Sequence, residues 1–153
     1  MNVKIKKLYA DSIIPTKAHP SDAGYDLYAH SKSYDEDGNV VFGSGVAMEI
    51  PQNYVGLIFP RSSNAKKDLL LSNSVGVIDS GFRGEISFKF KPCAKFDEYH
   101  LTWLKDADES TLYEKGDRIG QIIIIPYPEI EFVEVDELSE TERGAGCYGS
   151  SGK

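Results

Sequence analysis

Apolar residues along this chain recur with the two-residue period of β-strands, and a helical period is scarce. Val3, Ile5 and Leu8 roughly alternate with lysines. The runs Val46 to Ile50, Tyr54 to Phe59, Ile86 to Phe90 and Ile119 to Ile125 are rich in β-branched and aromatic residues and are bounded by Gly, Pro, Asn or Asp. Asp37-Gly38 and Ser44-Gly45 are turn signals between runs. Pro51, Pro60, Pro92, Pro126 and Pro128 close strands, since proline has no N–H to give a central ladder. One short helix is expected over Ser63 to Leu71, capped by Ser62 or Ser63. The charged stretch Phe96 to Tyr113 is expected to be a long hairpin, with Tyr99 to Leu104 and Thr111 to Tyr113 as its arms. No internal repeat is found. Many short strands at regular turn spacing predict an all-β sandwich or barrel.

The pattern changes twice near the end. Glu129 to Glu142 carries seven acids and no Lys or Arg, with Ile130, Phe132, Val133 and Val135 as apolar positions. Arg143 to Lys153 is Gly-Ser rich and cannot bury a core, so a mobile arm is expected. The chain therefore divides into a core, 1–128, and a segment, 129–153. The net charge of −7 over 153 residues is local to the acidic stretch; the rest holds 17 acids and 17 Lys plus Arg. No basic surplus remains for a nucleic-acid surface, so direct nucleic-acid binding is not expected. No apolar run approaches membrane-spanning length and the first residues lack a signal-peptide core. Two cysteines, Cys93 and Cys147, fit neither a metal site nor a disulfide scaffold, which predicts free thiols and a cytoplasmic location.

Candidate chemistry sits at a few turns. In Gly76-Val-Ile-Asp79-Ser-Gly-Phe82-Arg-Gly84 a strand ends in an Asp and an aromatic follows. A carboxylate at such a hairpin tip can orient and deprotonate water, or simply cap its turn. Pro60-Arg61-Ser62-Ser63 places a cation and two hydroxyls at a strand end, suiting an anion site or a plain cap. The terminal Gly-Ser segment can turn backbone N–H groups on a phosphate, with Arg143 as a bidentate partner and Tyr148 able to stack on a base. Asp26 reads as a turn residue before a strand. The scattered His19, His30 and His100 suggest neither metal site nor triad.

The order and spacing of these segments are more specific than any one of them. Ala23-Gly-Tyr-Asp-Leu27, Pro60-Arg-Ser-Ser63, Gly76 to Gly84, Gly116-Asp-Arg-Ile-Gly-Gln121 and Arg143 to Gly152 resemble the five ordered motifs of the trimeric deoxyuridine triphosphatases (dUTPases). The resemblance runs from about Ala23 to Gly152. It implies a distorted jelly-roll β-barrel with a flexible C-terminal arm, and a homotrimer in which that arm completes a neighbour's site. It also implies Mg²⁺-dependent hydrolysis of dUTP to dUMP and pyrophosphate, which limits uracil in DNA and supplies dUMP.

Carried onto this sequence, the resemblance makes Asp79 the water-activating carboxylate and Phe82 the aromatic lying against deoxyribose. Asn73 reads uracil with backbone near Val77 and Ile78. Arg61, Ser62, Ser63 and Gln121 contact phosphates, and Asp26 lies near the metal. From the arm come Arg143, the uracil-stacking Tyr148, and Gly149, Ser150 and Ser151 around the γ-phosphate. The metal would be held mainly by phosphates and waters. Ser63 and Cys147 stand where the family usually has Gly, Ser151 replaces Thr, Gly120 replaces Ala, and the stretch 96–113 is longer than usual. Two other readings share the fold. A dCTP deaminase resembles Arg61-Ser62-Ser63 but needs a Glu and an Arg where this chain has Lys89 and Lys66. A non-catalytic nucleotide-binding trimer would have no use for Asp79.

Overall fold

The computed structural model describes residues 1–93, 95–97, 102–104 and 112–147. Among these residues twelve strands form and no α-helix. In chain order they are β1 (Lys4–Lys7), β2 (Tyr25–Tyr28), β3 (Ser31–Tyr34), β4 (Val40–Gly43), β5 (Val46–Glu49) and β6 (Tyr54–Phe59), then β7 (Leu69–Leu71), β8 (Gly76–Ile78), β9 (Ser87–Pro92), β10 (Lys95–Asp97), β11 (Thr102–Leu104) and β12 (Arg118–Pro126). Two four-stranded antiparallel sheets, ordered β2-β12-β6-β8 and β3-β4-β9-β7, enclose one core, with β1-β5 and β10-β11 as separate pairs. The strand pattern predicts an all-β sandwich or barrel, and the jelly-roll arrangement seen here is the one the resemblance implies.

Alternation builds the core. Phe88 and Phe90 of β9 are fully buried while Ser87, Lys89 and Lys91 between them are exposed. Phe42 meets Phe90 and Tyr113 edge-on, at ring-centroid distances of 6.0 and 5.7 Å. Leu27, Ile58, Ile119 and Ile122 close the core from the first sheet. Each such side chain contributes roughly 1.5–3 kcal/mol through burial. Cys93 and Cys147 are free, and no helix of the described residues is long and apolar enough to cross a membrane.

Four expectations change. The helix over Ser63 to Leu71 is a 3₁₀ turn over Ser62–Lys66 only, with no side-chain cap. Leu69 and Leu71 are buried and Leu70 is exposed, a period of two that pairs them with β9 as strand β7. The hairpin arms are also displaced: β10 pairs with β11 through Phe96↔Trp103, Leu112 and Tyr113 are buried core residues outside any strand, and Thr111 lies outside the described residues. The turn after Asp79 is not a hairpin, because β8 pairs with β6 and the chain then crosses to β9 in the other sheet. Strands β3 and β4, on either side of Asp37-Gly38, have no counterpart among the runs read from sequence. The last strand ends at Pro126, and 127–147 form none.

Gly120 explains itself sterically. A Cβ there would collide with the Phe88 ring and stand 2.8 Å from the Phe59 carbonyl oxygen. The larger residue common in the family has no room beside this phenylalanine. Gly120→Ala is therefore expected to lower unfolding stability by about 1–3 kcal/mol through overpacking. Urea denaturation checks it, and an unchanged midpoint would contradict the packing described.

Candidate functional site

Strand β12 lies in the middle of its sheet and fixes where the motifs meet. Gln121 pairs with Asp26 of β2 on one side and with Phe59 of β6 on the other. Paired residues of antiparallel strands share a face, so Asp26, Gln121 and the end of β6 converge outside the core. Arg61, two residues past Phe59, donates from Nε to Asp26 Oδ1 at 2.8 Å. Arg118 donates from Nη1 to Asp26 Oδ2 at 3.2 Å. Both carboxylate oxygens are therefore occupied, and two guanidinium groups share one negative charge. Arg61 Nη1 also donates to Ser63 Oγ at 3.3 Å, and Gln121 Nε2 donates to the Pro60 carbonyl at 3.3 Å. The Gln121 side chain fills the space a Cβ on Gly24 would occupy. Asp22, Asp26, Arg61, Ser62 and Gln121 line a cleft of about 300 Å³.

The turn carrying Arg61 to Ser63 is held from below. Asn64 is buried; its Nδ2 donates to the Leu69 carbonyl at 2.7 Å and its Oδ1 accepts from the Tyr113 hydroxyl at 3.0 Å. Lys67 donates to the Leu112 carbonyl at 3.3 Å, and its ammonium stands 4.4 Å from the Tyr113 ring centre. Burial pushes the Tyr113 hydroxyl up to about 12.

A second group gathers around the turn after β8. Asp79 is exposed, and its carbonyl accepts from the Phe82 N–H at 3.0 Å to close the turn. Phe82 is 42% exposed and lies over Gly84. Val77 is 61% exposed while Ile78 packs against the core. Asn73 is exposed, two residues before Val75, whose N–H donates to the Asn73 carbonyl at 2.6 Å. Strand β8 is an edge strand, so one side of its backbone has no strand partner among the described residues.

The two groups do not meet within one chain. Ile78 pairs with Gly56 near the start of β6, and Arg61 follows the end of that strand. At strand rise, Asp79 and Arg61 stand roughly 20 Å apart along the sheet. Arg143 contacts neither group among the described residues; its Nε donates to the Gly146 carbonyl at 3.1 Å. Tyr148, Gly149, Ser150 and Ser151 lie outside the described residues. Asp26, expected near a metal, is instead the shared partner of two arginines. Among the described residues no three His, Cys, Asp or Glu side chains are grouped to hold a metal. Arg118 lies inside a motif recognised in the sequence, yet no signal gave it a role. The Asn64–Tyr113 bond, 49 residues apart, leaves no local trace. Lys89, where the deaminase branch has its Glu, pairs with Asp35 at 2.8 Å on the second sheet. That pair and Asn39 hold the Asp35 carboxyl well below the usual carboxylate range.

The family model for dUTPase matches residues 10–97 and 103–152. The chain is 40% identical to the deoxyuridine 5'-triphosphate nucleotidohydrolase of Nocardia farcinica over 98% of this chain and 85% of that protein. It is 37% identical to the protein of the same description from Nautilia profundicola, with 100% of both chains covered. It superimposes on the Staphylococcus bacteriophage 80alpha dUTPase with dUPNHPP at a TM-score of 0.80, with 30% identity and 99% of each chain covered.

The Tyr113 environment gives a direct check. A hydroxyl with its folded pKa raised stabilises the fold fully below the unfolded value of about 10. That contribution is lost as pH rises through about 12. Ultraviolet titration should show one tyrosine ionising above the rest and missing from Tyr113→Phe. Identical titrations of the two proteins would contradict the burial described.

Proposed function

Since the chain belongs to the dUTPase family, we propose the following course for its hydrolysis of dUTP. Uracil lies against the free edge of β8, read by Asn73 and by backbone near Val77 and Ile78. Phe82 covers the deoxyribose and leaves no room for a 2′-hydroxyl. Hydrogen bonding to the base rejects cytosine more strongly than an apolar pocket could. Asp79 accepts a proton from a water, and the hydroxide attacks the α-phosphorus. The bond to the bridging oxygen breaks and pyrophosphate leaves. Arg61, Ser62, Ser63 and Gln121 hold the phosphate chain from the cleft. The arm then closes the site, with Arg143 on phosphate, Tyr148 over uracil, and Gly149, Ser150 and Ser151 around the γ-phosphate.

The observation that carries this reading is the separation of Asp79 from Arg61 at opposite ends of one sheet. One triphosphate cannot engage both within a single chain. Two subunits that bring the two ends together complete the site, and a third supplies the arm, which supports a homotrimer. Mg²⁺, when bound, offsets phosphate charge. Asp26 would meet it through water, since each carboxylate oxygen already accepts from an arginine. The metal is then held mainly by substrate phosphates and waters.

Asp79→Asn should bind dUTP with near-normal affinity and release pyrophosphate at least about 100-fold more slowly. Coupled pyrophosphate detection with Mg²⁺ checks it; tight dUTP binding with no turnover in the unmutated protein would favour a binder instead. Ammonia release from dCTP with dUTP left intact would place the protein in the deaminase branch. Deletion of 143–153 should sharply reduce turnover and leave the trimer whole by light scattering.

A further inference from the structure

The turn that presents Arg61 to Ser63 has little reason to hold its shape alone. It is a 3₁₀ turn of five residues, its N-cap position is Arg61 itself, and no side chain caps it. Turns this short have poor hydrogen-bond geometry and no helical cooperativity to draw on. Its two ends are closed by bonds from the Asn64 N–H to the Arg61 carbonyl and from the Lys67 N–H to the Asn64 carbonyl, each 2.9 Å. Ser62 and Ser63 are exposed and touch no part of the core.

What ties the turn to the protein is Asn64, the turn's single buried residue. Its amide bridges two fixed points, the Leu69 carbonyl at the start of β7 and the hydroxyl of Tyr113. Tyr113 is itself set in the aromatic cluster with Phe42 and Phe90. The latch joins the turn to the centre of the core through two buried polar groups. In such a place a made hydrogen bond holds geometry strictly, because the alternative is an unsatisfied buried group. On the far side of the turn Arg61 is drawn to Asp26. The turn is thus fixed at one end by an ion pair and from beneath by the latch.

We propose that Asn64 and Tyr113 are positioning residues for phosphate binding: their buried bond sets the placement of Arg61, Ser62 and Ser63 without touching substrate. This rests on the phosphate role given to that turn above. It separates the two halves of the ligand, since the uracil end lies on β8 and has no contact with the latch.

The test uses the full-length protein and Tyr113→Phe, which removes one oxygen and keeps the ring in the core. Binding of dUMP and of the imido analogue dUpNHpp is measured by calorimetry, with dUTP kinetics alongside. The variant should bind dUpNHpp about threefold to tenfold more weakly and raise KM for dUTP to match, with kcat within about twofold. Its affinity for dUMP, which lacks the β- and γ-phosphates, should stay within about twofold. Equal loss for both ligands, or no loss for either, overturns the proposal. A readout free of ligand keeps the two claims apart. In the unliganded protein, amide exchange at Asn64 and Lys67 should quicken at least about tenfold in Tyr113→Phe while β12 stays protected. Unchanged exchange there overturns the latch, whereas unmutated protein that ignores dUpNHpp overturns the phosphate role instead.

Discussion

The structure turns on the pairing of strand β12, which carries Gln121 between Asp26 on one neighbour and Phe59 on the other. That register is set by burial. Gly120 and Ile122 face the core, with Ile119 brought there too by a bulge after Arg118, and a slip of one residue would turn Ile122 outward and bring Gln121 inward. Once it is fixed, three segments far apart in sequence arrive at one cleft. Arg61, one turn past β6, then reaches Asp26, and Arg118 closes on the same carboxylate.

The electrostatics of that cleft follow from sharing. A lone carboxylate beside a single arginine would cancel it. Here one Asp26 stands between two arginines, so it does not fully neutralise either guanidinium. The side chains are held before ligand arrives, which limits the ordering cost on binding. The opposite end of the sheet is built for another task. Its turn leaves Asp79 exposed and unpaired by any cation within hydrogen-bonding reach among the described residues, which agrees with the proposed activation of water.

Much of this was legible in the residues. Rough alternation located β1, and β-branched and aromatic runs bounded by Gly, Pro, Asn or Asp located β5, β6, β9 and β12. It failed at Leu69 to Leu71, where three consecutive leucines carry no readable period and only the pairing with β9 reveals a strand. It failed again at β3, whose four residues are all exposed. The order of motifs gave the candidate site residues, but not their distribution over two ends of a sheet. That follows from β6 and β8 running antiparallel, a long-range fact without local signature. The Asn64–Tyr113 bond was unreadable for the same reason. Asn64 looked like one more polar residue in a capped helix, and Tyr113 like the arm of a hairpin.

The central claim is that Asp79 and Arg61 serve one substrate from different subunits. Asp79→Asn and Arg61→Ala, each inactive alone, can be unfolded together, refolded and assayed for pyrophosphate release from dUTP. Sites shared between subunits predict recovery to about a quarter of the unmutated rate in an equal mixture, since random assembly leaves that share of sites intact. A mixture as inactive as its components, with mixed oligomers verified by mass, would place both residues in one subunit's site and contradict the account.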